Sequence, residues 1–170
     1  LHSVVLPKVT SAGQVEALDL LLTQLERLNG LPVGRIAIEA LIEDAAALTR
    51  VEAIAAASPR LEALHVGPGD LMASLGLPSL RVGALRDGYP GDPLHHAYAR
   101  ILVAARASGL QAVDGPYTAV RDVAGFRDSA RRSAALGYDG KWVLHPGQIG
   151  AGTEVFTPSA EAVARAEAMV

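Results

Sequence analysis

Five ionisable side chains follow short apolar runs in this sequence, and their positions are its strongest indication of chemistry. Lys8, Glu43, Asp70, Asp114 and His145 each come at or just after the end of such a run. If the runs are parallel strands, their carboxyl ends share one edge of the sheet, where barrels and open sheets build their sites. The sequence therefore predicts a polar site at this edge.

Two of these residues, Glu43 and Asp70, indicate a metal site with oxygen ligands. The chain has no cysteine, which excludes thiolate ligands and disulfides. Carboxylates suit Mg²⁺ or Mn²⁺, and Mg²⁺ typically completes its shell with water and substrate oxygens. Such an ion can polarise a carbonyl group and hold a keto or hydroxy acid. The Gly67-Pro68-Gly69 turn lets the main chain approach the carboxylate of a bound substrate.

The two carboxylates also have structural alternatives. Glu39 shares a strand face with Glu43 and competes with it as a ligand, but it lies deeper, where a buried carboxylate is expected to be paired. Asp70 precedes a helical pattern and could cap that helix. Both roles of Asp70 can coexist.

The other candidates are open between a functional and a structural role. Lys8 could contact a phosphate or carboxylate, or be a solvated lysine. Asp114 could position a substrate, or be a turn residue before Gly115-Pro116. His145 could donate a hydrogen bond or act as an acid or base, or brace the turn at Pro146. His65, inside an apolar run, is expected to be structural.

The elements that must position these residues alternate between short apolar runs and helical patterns. This alternation is typical of βαβ units and a parallel sheet. Strands are predicted over residues 3–8, 36–43, 61–66, 110–113 and 141–144. Helices are predicted from the Thr10-Ser11 caps to the stop at Asn29-Gly30, over 44–57, after Asp92-Pro93, over 120–136 and after the Thr157-Pro158 cap. Glycines and prolines predict a surface loop over 77–91.

Composition argues against several classes of partner. The formal net charge is −3, and there is no basic stripe, so a nucleic-acid partner is not expected. No apolar run approaches the ~18 residues that span a membrane, and no secretory signal opens the sequence. We therefore expect no membrane partner, and the absence of cysteine fits a cytoplasmic protein.

Eight segments taken together in order resemble one family, the citrate lyase beta subunit-like proteins of the HpcH/HpaI aldolase/citrate lyase superfamily, which include malyl-CoA and citramalyl-CoA lyases. The segments are Leu6-Pro7-Lys8, Leu41-Ile42-Glu43, Ser58 to Leu64, Gly67-Pro68-Gly69-Asp70, Ala104 to Ala107, Ala112 to Tyr117, Gly137 to Lys141 and His145 to Ile149.

The resemblance implies a TIM (β/α) barrel that binds Mg²⁺ and cleaves or forms a carbon–carbon bond in a CoA thioester. The family's metal carboxylates fall on Glu43 and Asp70, and the matched turn from Gly67 to Gly69 would cradle the carboxylate of a small keto acid. The resemblance also implies a homo-oligomer, a trimer or hexamer.

Only part of the family's barrel is matched. We expect residues 1–170 to form a single partial barrel domain that corresponds to the fourth to eighth strands. It lacks the first three βα units, with their active-site arginine, and a C-terminal lid segment with a catalytic carboxylate. The catalytic residues are therefore unassigned. The alternatives are a divalent-metal aldolase acting on free keto acids without CoA, and a non-catalytic barrel fragment.

Overall fold

A computed structural model of the protein describes residues 1–78, 81–85 and 88–169 and contains one five-stranded sheet. The strands are β1 (Ser3–Leu6), β2 (Ala37–Ile42), β3 (Leu61–Val66), β4 (Gln111–Asp114) and β5 (Gly140–Lys141). The helices are α1 (Ala12–Leu28), α2 (Ala45–Thr49), α3 (Val51–Ala55), α4 (Pro68–Ser74), α5 (His95–Ala107), α6 (Val123–Leu136), α7 (Pro146–Phe156) and α8 (Ala160–Glu167). The predicted α/β class with a parallel sheet is confirmed.

Each strand pairs in parallel with the next one along the chain, so the sheet order is β1-β2-β3-β4-β5. This is the order of consecutive strands in a (β/α) barrel. All five carboxyl ends consequently lie along one edge, because every crossover returns the chain to the same side.

One face of the sheet packs against the helices and carries most of the hydrophobic core. Ile38, Ala40, Ile42 and Leu64 lie on this face and are fully buried. The opposite face carries the polar pair Glu39 and His65 among small and apolar neighbours, as expected for residues that alternate along a strand.

The pairing of β2 with β3 contains one irregularity, near the amino-terminal ends of the two strands. Ile38 pairs with Leu61 but Glu39 pairs with Ala63, so Glu62 has no partner in β2. The extra residue moves Leu61 onto the helix-facing side while Ala63 stays on the other side. Such a bulge bends a strand locally.

Several predicted boundaries differ from the structure. Residues 44–57 form two short helices, because the chain leaves the helical geometry at Arg50. The Thr49 hydroxyl donates to the carbonyl of Ala46 at 2.8 Å, a local bond that competes with the helical pattern. Helix α5 begins at His95, and Asp92 instead accepts a hydrogen bond from the N–H of Leu94 at 2.9 Å.

Near the end of the chain, the length of β5 and the cap of α8 also differ from the prediction. Strand β5 has only two residues. The N–H of Trp142 still donates to the carbonyl of Asp114 in β4 at 2.9 Å, but the chain then leaves the sheet and the N–H of Leu144 bonds the Gln148 side chain at 2.8 Å. The cap of α8 is Ser159, whose Oγ accepts from the N–H of Ala162, so the predicted Thr157-Pro158 cap is wrong. The predicted loop over 77–91 falls partly outside the described residues.

No helix in the described part of the chain is both long and apolar enough to cross a lipid bilayer.

Candidate active site

Glu43 directly follows β2 and lies tightly against the turn that follows β3. The N–H of Gly67 donates to the carbonyl of Ile42 at 3.0 Å, which continues the strand pairing up to this point. A Cβ on Gly67 would overlap Glu43 Cβ and lie 2.7 Å from Glu43 Oε2. Residue 67 must therefore be glycine for the Glu43 side chain to keep this position.

Asp70 lies in the first turn of α4, and Pro68 begins that helix. Its side chain is about half exposed, at 54%. Gly67 is the N-cap, so Asp70 belongs to the helix rather than capping it. Its carboxylate is directed toward the same edge of the sheet as Glu43, as the shared contact with Lys8 shows.

Lys8 contacts both carboxylates. Its backbone N–H donates to Glu43 Oε1 at 2.9 Å, and its ammonium donates to Asp70 Oδ2 in a short ion pair. This hydrogen bond and the charges of Asp70 and Glu43 raise the pKa of Lys8. Lys8 has φ of 53°, a left-handed conformation that non-glycine residues rarely adopt and that often accompanies function.

These residues line an open pocket of about 490 Å³ at the carboxyl edge of the sheet. Its lining residues are Lys8, Thr10, Glu43, Asp44, Asp70, Ala73 and Ser74. Asp44 was not among the predicted site residues. It caps α2 by accepting from the N–H of Ala46 at 2.7 Å, and the Ser74 hydroxyl donates to its other oxygen at 3.1 Å. These two bonds lower the pKa of Asp44.

The donor atoms of this pocket fit a small hard cation. Glu43 and Asp70 supply oxygen, and the Lys8 ammonium already places a positive charge beside Asp70. Within the described ranges, no group of three or more acidic, histidine or cysteine side chains gathers as a candidate metal site. Mg²⁺ commonly binds one or two protein carboxylates and completes its coordination shell with water and substrate oxygens.

The turn from Gly67 to Gly69 offers fewer free backbone N–H groups than the sequence predicts. Gly67 is buried and its N–H is bound by Ile42, and Pro68 has no N–H to donate. Gly69 is half-buried in the first turn of α4. None of these three predicted substrate-binding residues is among the lining residues of the pocket. Gly69, in the first turn of α4, is the one whose N–H has no helical partner and remains for a ligand.

Asp114 lies apart from Lys8, Glu43 and Asp70 in a buried cluster. It is 2% exposed, and its two oxygens accept from Lys141 Nζ at 2.5 Å and from the Tyr98 hydroxyl at 2.8 Å. Burial lowers the pKa of Lys141 and raises that of Tyr98. Both carboxylate oxygens already have partners inside the protein, so Asp114 has a structural role, but as a buried residue of β4 rather than as the predicted turn residue.

His145 caps α7 and is exposed. Its Nδ1 accepts from the N–H of Gly147 at 3.0 Å, directly before Pro146 opens the helix. This matches the alternative in which the histidine braces the turn. The structure therefore brings Lys8, Glu43 and Asp70 together and leaves Asp114 and His145 outside their pocket.

Comparison with known proteins shows the family of the chain. The model of the HpcH/HpaI aldolase/citrate lyase family matches residues 1–146. The chain belongs to this family. An L-malyl-CoA/beta-methylmalyl-CoA lyase of Cereibacter sphaeroides is 43% identical over 98% of this chain and 55% of its own length. The chain thus spans about half the length of the curated relatives it matches.

Two solved structures show that the shared fold extends over nearly the whole chain. A citrate lyase from Burkholderia xenovorans matches with a TM-score of 0.82 and 27% identity, covering 97% of this chain and 52% of that one. The protein CitE from Mycobacterium tuberculosis, in complex with magnesium, acetoacetate and coenzyme A, matches with a TM-score of 0.74 and 34% identity, covering 98% and 55%.

In this aldolase/citrate lyase family member, a second polar network lies below the pocket on the face opposite the helices. Glu39 accepts from the Ser3 hydroxyl and pairs with His65 Nε2, both at 2.5 Å. Trp142 Nε1 donates to His65 Nδ1 at 2.7 Å. Because an indole only donates, Nε2 carries the proton toward Glu39. Burial lowers the pKa of His65, so the pairing predicted for Glu39 and the structural role predicted for His65 both fit the structure.

A larger pocket of about 700 Å³ lies on the other side of α4, and two of the predicted substrate-binding residues, Pro68 and Asp114, are among its lining residues. Met72 of α4, Tyr98 of α5 and Arg132 of α6 are among its lining residues. Arg132 donates to the carbonyl of Gly83 at 2.7 Å, which holds the loop against α6. Helix α4 therefore separates two pockets, with Asp70 on one side and Met72 on the other.

Proposed function

We propose that this chain is the metal-binding part of a carbon–carbon lyase that acts on a 3-hydroxyacyl-CoA thioester. The observation that carries the proposal is the contact of Lys8 with both Glu43 and Asp70 at the carboxyl edge of the sheet. The names of the relatives support it, since they include a malyl-CoA lyase and a protein crystallised with magnesium and coenzyme A. Malyl-CoA, citramalyl-CoA and citryl-CoA are the proposed substrates.

Glu43 and Asp70 would hold Mg²⁺, and Mn²⁺ could replace it because both ions favour carboxylate ligands. When bound, a divalent ion supplies Lewis-acid polarisation of the oxygens of the acid half. We assign the orientation of the carboxylate of that half to Lys8, which lines the pocket, and to the N–H of Gly69 in the first turn of α4.

In the proposed reaction the substrate hydroxyl loses its proton and the adjacent carbon–carbon bond breaks. The bond electrons pass to the thioester half as an enolate, which takes up a proton to give an acyl-CoA, and the acid half leaves as a small keto acid. We assign no described residue as the base. The resemblance places an active-site arginine and a lid carboxylate in segments outside residues 1–170.

The proposal includes the predicted organisation of the protein. Residues 1–170 would act as one partial barrel domain, with the barrel completed by further βα units, in a homotrimer or hexamer. The cytoplasmic location stays a prediction.

Metal titration of the full chain of the protein tests the assignment of the ligands. Calorimetry with Mg²⁺ and Mn²⁺ should show that Glu43→Gln and Asp70→Asn each weaken binding by at least ~100-fold, beyond the 10–100-fold typical of groups that only support a ligand. Asp44→Asn removes a charge from the same pocket but keeps its capping oxygen, and it should weaken binding less than ~10-fold. Unchanged binding in the first two variants would refute the site.

Turnover tests the reaction. The full-length wild-type protein, with the further βα units that complete the barrel, should convert malyl-CoA to acetyl-CoA and glyoxylate. Chromatography of the CoA thioesters and a hydrazone assay for the keto acid measure the products. Glu43→Gln and Asp70→Asn should abolish this conversion. If the protein binds metal but not acetyl-CoA, and cleaves free hydroxy keto acids instead, the aldolase alternative replaces this proposal.

A further inference from the structure

Lys8 uses two different nitrogen atoms to contact the two carboxylates, and the two contacts differ in how easily they can change. The backbone N–H bonded to Glu43 is held in place by a left-handed conformation just after β1. The ammonium bonded to Asp70 lies at the end of a flexible side chain that is 75% exposed. The bond to Glu43 is therefore fixed by the backbone, whereas the bond to Asp70 can break when the Lys8 side chain rotates into solvent.

The pocket has an excess of negative charge. Glu43, Asp44 and Asp70 line it, and Lys8 is its single cationic lining residue among the described ones. The single positive charge of one ammonium does not balance the three negative charges of these carboxylates. One ammonium together with a divalent cation does. By charge, the pocket can therefore hold a divalent ion while the Lys8 ammonium stays nearby.

The Asp70 carboxylate cannot keep both partners at full strength. A divalent ion and an ammonium on the same carboxylate would repel each other, and this repulsion is stronger near a protein surface than in bulk water. The exposed side chain of Lys8 gives the ammonium an alternative position at the same edge, where an anionic group of the substrate would approach.

We propose that Lys8 is an exchangeable counter-ion that pairs with Asp70 until a divalent cation binds, and that then turns to the carboxylate of the bound acid. This inference rests on the proposed function, because it takes Glu43 and Asp70 as the ligands. It adds that the metal and a keto acid bind cooperatively and that the cooperativity depends on Lys8.

Calorimetric titration of Mg²⁺ into the full chain of the protein, with and without pyruvate as the keto-acid probe, tests this inference. Lys8→Met removes the competing charge but keeps the backbone N–H, so it should bind Mg²⁺ at least ~5-fold more tightly than wild type, the lower end of typical coupling between sites. Pyruvate should tighten Mg²⁺ binding in wild type by ~5-fold or more and should have less effect in Lys8→Met.

Two controls separate this mechanism from a general effect of charge or folding. Arg50→Met removes a cation that donates to the carbonyl of Thr10, beside the same pocket, and should leave Mg²⁺ affinity within ~2-fold, as expected for an exposed charge. Lys8→Arg keeps the charge and should retain wild-type coupling with pyruvate. Circular dichroism confirms that the variants are folded, and Lys8→Gln replaces Lys8→Met if the latter is not.

The outcomes distinguish the two proposals. If wild type and Asp70→Asn bind Mg²⁺ equally, the proposed metal site itself fails. If Asp70→Asn loses binding but Lys8→Met binds Mg²⁺ no more tightly than wild type, or keeps the full effect of pyruvate, the site stands and the exchange by Lys8 is refuted.

Discussion

Arg60 lies just before β3, and its guanidinium joins α1 to the start of β2. It donates to Asp19 Oδ1 at 2.5 Å, Thr23 Oγ1 at 2.8 Å and both oxygens of Glu26 at 2.9 and 2.7 Å. It also donates to the carbonyl of Ile36 at 3.0 Å. The Arg60 side chain is 5% exposed and that of Glu26 is fully buried. We predict that Arg60→Met strongly destabilises the protein.

The expected loss follows from what the substitution leaves behind. Methionine fills much of the same space, but Glu26 remains as a buried carboxylate. Among the described residues, only the N–H groups of Gly34 and Ile36 then donate to it, each at 2.8 Å. Breaking a buried pair in this way typically costs about 3–5 kcal/mol, because one charge is left without its partner. That is a large part of the ~5–15 kcal/mol that stabilises a typical domain.

Urea unfolding of the full chain, followed by circular dichroism, measures this loss. Arg100→Met is the matched control, since Arg100 makes a bidentate pair with Glu52 at 3.0 Å on the surface, and it should cost only ~0.2–1 kcal/mol. Adding Glu26→Gln to Arg60→Met should recover part of the stability, because the amide carries no buried charge. A loss below ~1 kcal/mol in Arg60→Met, equal to the surface control, would refute the reasoning.

The same network predicts a dependence on pH. Hydrogen bonds from Arg60 and from the N–H groups of Ile36 and Gly34 lower the pKa of Glu26 from 4.5 to about 2. Because the folded-state pKa is depressed, this contribution to stability is complete above pH 4.5 and is lost as the pH falls toward 2. In Arg60→Met the pKa of Glu26 should rise, so less stability is lost over that interval. Equal acid sensitivity in the two proteins would contradict the assignment.

Two further predictions concern the site and its surroundings. Gly67→Ala should weaken Mg²⁺ binding by at least ~10-fold in calorimetry, because the new Cβ displaces the Glu43 side chain. The control is Gly150→Ala, whose Cβ meets nothing within 4 Å, and it should leave Mg²⁺ binding unchanged. Tyr98→Phe removes a hydrogen bond to the buried Asp114 carboxylate and should lower the free energy of unfolding by ~1–3 kcal/mol in urea, and a loss under ~0.5 kcal/mol would show that the bond is not needed.

The elements with strong local signals could be predicted from the sequence. The apolar run from Leu61 to Val66 is β3 with the same bounds, and α1 ends at Leu28, directly before the Asn29-Gly30 stop, where Gly30 has φ of 66°. The segment from Trp142 to Leu144 looked like a strand because it is apolar, but Val143 is 43% and Leu144 49% exposed. Tertiary contacts, rather than local pattern, decide where such a segment leaves the sheet.

The candidate site shows the same division. Strand ends placed Lys8, Glu43 and Asp70 at one edge, since that follows from parallel topology alone. The sequence could not show that Asp114 turns inward, because its partner Lys141 comes from the next strand and Tyr98 from a helix. Asp44 was missed, although its place directly before an Ala-rich helix is a recognisable capping signal.

The simple sheet order has a consequence for how such a molecule can be built. Across residues 1–78, 81–85 and 88–169, every strand has its chain neighbours beside it and no strand is inserted between two earlier ones. A further βα unit placed next to β1 or β5 would therefore lengthen the sheet without disturbing an existing pair, and each unit can fold against one already formed. The sheet can therefore be extended without rearrangement of its strands. The new strand would pair with the edge backbone groups of β1 or β5.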